Sequence, residues 1–187
     1  MSSNQKRSQP AIVTECLLQT NQAQRMSTWM DFRLKNMLFM LEVVYKENET
    51  LQNMAESTVQ KIIQLLEQLD ADLKNAIEEL PTLGDNSTSV EYSYPKTVEI
   101  SCTTPHAQIY INLLKDFDLL VQQCDQLWLT GQWQREESRE PVRVWTRAIS
   151  KGLSDCADHF LPLRRKYIQY QKSVHQTDEA SESTDPS

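Results

Sequence analysis

Arg143, Arg147 and Lys151 stand four residues apart in "VRVWTRAISK". At helical spacing such side chains project together as one ridge. A ridge of cations suits phosphate: a guanidinium offers a fork of donors that matches phosphate oxygens, and an ammonium adds a point charge. The surrounding stretch, 135–172, holds nine Lys or Arg against five Asp or Glu. Residues 31–86 show the reverse, with five basic and eleven acidic side chains, and the whole chain of 187 residues has a formal charge of −7. Polyanion binding follows local potential, so the acidic total is compatible with nucleic acid at the basic stretch. It argues only against a protein that coats nucleic acid with its whole surface. A merely solvated helix face would carry the same residues.

Other chemistry finds little support. His106, His159 and His175 stand at no metal-ligand spacing from one another or from a cysteine. Cys16, Cys102, Cys124 and Cys156 lie far apart with no CxxC pair, which reads as reduced core thiols in a cytosolic protein. No glycine-rich phosphate loop occurs, and no cofactor is implied. No segment is apolar enough to cross a bilayer. The expectation is a binding protein and not an enzyme, with no catalytic residue and no metal site.

The elements that must hold the cations are helical. Glycine occurs only at 84, 131 and 152, too seldom for a sheet-rich fold. Residues 1–10 read as a flexible arm carrying Lys6 and Arg7. Residues 11–172 read as one mostly helical domain, and the acidic stretch 173–187 as a disordered tail. Between 28 and 80 two apolar seams repeat at three and four residues, Met30 to Val44 and Val59 to Leu80. A long helix broken near Asn48 or a helical hairpin satisfies both. A strand–helix–helix unit follows over 94–160. Apolar residues alternate up to Cys102, Thr103 or Thr104 can cap a helix with Pro105 in its first turn, and Gly131 ends that helix. Pro141 opens the last long helix, whose polar face carries the cationic row.

A lone strand needs partners for its N–H and C=O groups. "KTVEISC" can pair with its own copy in a dimer, leaving Thr97, Glu99 and Ser101 on an outer face and Lys96 at the edge. Such a two-stranded ribbon fits a DNA major groove. Alternatively, "AIVTECLLQ" pairs with it inside one chain, which needs neither dimer nor DNA. A second candidate ribbon is "IVTECLLQ" itself, with Thr14 outward and Arg25 nearby.

Three stretches carry a family resemblance: "LLQTNQAQR" (17–25), "CTTPHAQIYINLLKDFDLLV" (102–121) and "VRVWTRAIS" (142–150). In them the chain resembles the AcaB-like transcriptional regulators of conjugative plasmids and integrating conjugative elements. Pro105, Leu113, Leu114, Asp118, Leu120 and Val121 fall in register with that family's middle block. The resemblance implies a ribbon-helix-helix unit; with the two seams, the expectation is a mainly α fold in which that unit carries a helical, coiled-coil-like appendage. It implies a bacterial cytoplasmic regulator of conjugation genes that binds double-stranded DNA as a homodimer or larger homo-oligomer. Thr97, Glu99 and Ser101 would face bases. Arg143, Arg147 and Lys151, with Lys6 and Arg7 of the arm, would contact phosphate. The competing reading is a helical assembly or adaptor protein of a mobile element that never touches DNA.

Overall fold

In the computed structural model, residues 10–46, 48–81 and 90–182 are described, with side chains as far as Ser173. The chain is mainly helical with one two-stranded antiparallel sheet. In order it runs β1 (Ile12–Leu18), α1 (Asn21–Met30), α2 (Asn36–Phe39), α3 (Gln52–Glu78), β2 (Lys96–Cys102), α4 (Ala107–Leu129) and α5 (Arg135–Glu182). α1 and α2 are joined by a π-helical turn, Asp31–Lys35, and a second, Met40–Val44, follows α2.

Of the two pairings open to "KTVEISC", the one within the chain forms. β2 pairs along its length with β1, from Ile12 opposite Cys102 to Leu18 opposite Lys96. A second copy is therefore not required to satisfy the strand. Cys16, Leu18 and Ile100 point into the core, while Val13, Glu15, Leu17, Thr97 and Glu99 are exposed. Thr14 shares the parity of Cys16 and Leu18 and so lies on the inner face. That corrects its expected outward direction.

Helix starts explain most of the remaining differences. α1 begins at Asn21, well before 28, because Thr20 caps it and accepts a hydrogen bond from the Ala23 N–H at 3.2 Å. Asp118 of α4 in turn binds Thr20 and Gln19, so β1, α1 and α4 meet at one buried carboxylate. The seams form a hairpin. Asn48 makes its turn, accepting from the Thr50 N–H through its side chain and from Leu51 and Gln52 through its carbonyl. α4 begins after His106 and has no side-chain cap; the hydroxyls expected there do not serve. His106 Nδ1 instead lies 3.0 Å from Glu42 Oε2 on the second π turn. Gly131 ends α4 as expected, at φ 74°, a conformation open to glycine.

α5 begins six residues before Pro141. Glu137 reaches back to accept from the Gln134 N–H at 2.6 Å, a capping arrangement that starts the helix upstream of the proline. Pro141 and Pro162 are both inside the helix. Its backbone continues to Glu182, into the stretch whose composition suggested a tail from 173; that stretch has no glycine, and its first proline is Pro186. Two contacts set how α5 lies. A Cβ on Gly152 would meet Leu69 Cδ2 at 3.0 Å, so the missing side chain lets α5 approach α3 closely. Tyr45, ending the second π turn, lies under Phe160 and Tyr167 with ring centroids 6.0 and 4.8 Å away.

The core is the common interior of α1, α3, α4 and α5, roofed by the inner face of the ribbon. Cys16, Cys124 and Cys156 are buried free thiols, and burial pushes the last two up to about 12. They are inert packing groups at neutral pH.

Candidate nucleic-acid interface

The early start of α5 lengthens the cationic row. Arg135 and Arg139 continue it upstream of Arg143, Arg147 and Lys151 at the same four-residue step. Such a row winds slowly around a helix of 3.6 residues per turn. Its first three members face α1. Arg135, Arg139 and Arg143 line a groove of about 530 Å³ together with Trp128 at the end of α4 and Gln22 at the start of α1. A second cleft of about 340 Å³ adjoins it, sharing Gln22 and Thr146, and is lined by Arg25 and Trp29. The two form one channel between α1 and the N-terminal half of α5. Arg147 and Lys151 are exposed farther around the helix and line neither part.

Two tryptophans are covered by guanidinium groups. Arg135 lies 5.6 Å from the Trp128 ring centroid and Arg33 lies 4.6 Å from that of Trp29. A guanidinium held over a ring face by cation–π attraction can still donate its N–H groups to an anion. Glu136 accepts from Arg143 at 2.7 Å and from Arg139 at 3.3 Å, and Glu140 lies 3.4 Å from Arg143. All these groups are well exposed, so the pairs are weak and a phosphate can exchange into them. Arg25, Arg147 and Lys151 have no carboxylate partner among the described residues. Asp125 is the one acid among the described residues lining the groove. Burial raises its carboxyl above the usual range, opposed by the Tyr92 hydroxyl, which donates to it at 2.9 Å.

The ribbon is chemically different. Thr97 and Glu99 do face outward and Ser101 shares their side, with Lys96 exposed at the strand end. However, Glu15 stands directly opposite Glu99. Val13 and Leu17, 57% and 56% exposed, flank Glu15 on the same face. That outer face therefore offers two neighbouring carboxylates and no cation of its own. The N-terminus of α5, where free backbone N–H groups would suit an anion, is already served by Glu137, with Glu136 beside it. Lys6 and Arg7 lie outside the described residues.

The structure thus unites Arg25 and Arg143, from two of the three stretches named above, and leaves Thr97, Glu99, Ser101, Arg147 and Lys151 elsewhere. Sequence reading missed Arg135, Arg139, Trp29 and Trp128. The four-residue step back from Arg143 is the available signal for the arginines, but Pro141 reads as the helix start and masks it. Among the described residues there is no group of His, Cys, Asp and Glu that could hold a metal ion, and no helix long and apolar enough to cross a membrane.

No protein-family model matches the chain, and no curated protein matches it. Among solved structures it is similar to one described as the crystal structure of selenomethionine-containing AcaB from uropathogenic E. coli. The identity is 18%, the TM-score is 0.67, and the match covers 90% of this chain and 88% of that one. At that identity the likeness is one of fold: this chain is folded like AcaB.

Proposed function

We propose that the chain is a DNA-binding transcriptional regulator of conjugative-transfer genes, and that it holds the duplex backbone in the channel between α1 and α5. The observation that carries this reading is the convergence of Arg25, from the early segment, with Arg135, Arg139 and Arg143 on one channel. The AcaB-like fold and the three resembling stretches support the regulatory context. Side chains of this kind position a protein on phosphates without reading sequence. The ribbon suits base reading poorly, because paired carboxylates at Glu15 and Glu99 repel the phosphates that wall the major groove. No chemistry of bond making is assigned; the protein acts by binding.

The test is duplex affinity across a salt series. Each phosphate contact contributes about 0.9 to the slope of log K against log salt. Arg143→Ala and Arg25→Ala should each weaken all sequences alike and flatten that slope by about 1. Thr97→Ala and Ser101→Ala should leave it unchanged. Absent or salt-insensitive binding by the parent would favour the helical adaptor instead, for which the apolar and acidic ribbon face is the supporting feature.

A further inference from the structure

α5 carries an exposed stripe along its outward side, from Glu137 to Lys172, with members three and four residues apart. That is the spacing of a helix-pairing seam. Nothing in the described chain covers it. Three of its members are large apolar side chains, Val144, Leu161 and Ile168, at 48%, 38% and 44% exposure. Its charge is divided by position. The N-terminal part is acidic at Glu137 and Glu140, and the C-terminal part is basic at Arg165 and Lys172.

The stripe is complementary to itself in reverse. Laid antiparallel on a second copy about a two-fold axis between Gly152 and Leu153, Glu140 meets Arg165, Val144 meets Leu161, Arg147 meets Asp158 and Lys151 meets Ser154. The same register sets Ile168 over Glu137 at the end of the stripe, and each layer joins the two kinds of seam position, as antiparallel pairing requires. A neighbouring cleft of about 630 Å³ adds to the match. It is walled by Trp133, Trp145 and Leu80 and rimmed by Glu79, Glu137 and Glu140. In this register the second copy's basic segment, with Leu161 and Ile168, runs over it. The same molecule cannot fill its own cleft, because both surfaces belong to one continuous helix.

We propose that this stripe is the interface of an antiparallel homodimer, with a second copy of the chain as occupant. Arg147 and Lys151 then serve assembly and not phosphate. Resting on the DNA reading above, a further consequence follows. The two channels, centred between Arg139 and Arg143, fall about 35 Å apart along the helix axis. That spacing is near the roughly 34–36 Å repeat of successive major grooves.

The experiment is sedimentation equilibrium of the full chain without DNA, so its outcome is independent of the DNA reading. Arg147→Glu and Asp158→Lys should each raise the dimer dissociation constant about tenfold, and the double variant should recover most of the loss. Circular dichroism checks that these surface variants keep their helix content. A chain that stays monomeric at all accessible concentrations overturns the proposal, as does a dimer indifferent to all three variants. A dimer in which the double variant is no better than the singles also overturns this register.

Discussion

Asp118 Oδ1 accepts two hydrogen bonds from Thr20, one from its backbone N–H at 2.9 Å and one from its hydroxyl at 2.7 Å. Oδ2 accepts from the Gln19 N–H and from the Gln122 amide, both at 2.9 Å. Asp118 is 3% exposed, and a buried carboxylate is tolerable only because its acceptor sites are filled this way. The pair ties "LLQT" to "DFDLLV", two of the stretches on which the family resemblance rests. Its role is architectural: it fixes where α1 starts, and so where Arg25 enters the channel.

Asp118→Ala should therefore cost on the order of 3 kcal/mol, since it strands the buried N–H groups of Gln19 and Thr20. Asp118→Asn should cost less, because one amide oxygen can still accept. Urea unfolding monitored by circular dichroism measures both. A midpoint unchanged in Asp118→Ala would show that the α1 start does not depend on this contact.

A second, half-buried carboxyl works against stability. Where α3 crosses α4, burial and then the neighbouring Asp70 carboxylate raise Asp116 above the ordinary range, opposed by Lys74 Nζ 3.6 Å away. The folded chain therefore binds this proton more tightly than the unfolded chain. The resulting stabilisation is complete below the ordinary Asp value, about 4, and is lost as pH rises through the raised value. Asp116→Asn should be more stable than the parent at pH 7, with the gain shrinking toward pH 4. Urea midpoints measured across that range should converge at the acid end. A variant less stable at pH 7 would mean that the Lys74 contact outweighs the repulsion.

Sequence pattern carried the helical seams, the inward face of β2 and the stop at Gly131, because each is written in residues close together. It left the partner of β2 open, since pairing with β1 joins segments far apart in the chain. It misplaced two helix starts for local reasons. The β-rich run before Thr20 hid a cap, and Pro141 looked like a first-turn proline while Glu137 capped the helix upstream. The second error shortened the cationic row and hid Arg135 and Arg139. The channel itself was not legible, because it depends on how α1 lies along α5. That arrangement is set through α4, which packs against both helices. The charge pattern was legible only as a stretch of sequence, without the side of the helix on which it would fall.

The central claim is that duplex DNA is held between α1 and α5. Amide hydrogen exchange of the full chain, with and without a duplex at low salt, tests it most directly. Slowed exchange should be confined to residues 22–29 and 135–150, with β1 and β2 unchanged. Protection of the two strands with none along that channel, or no change anywhere at saturating duplex, would contradict it.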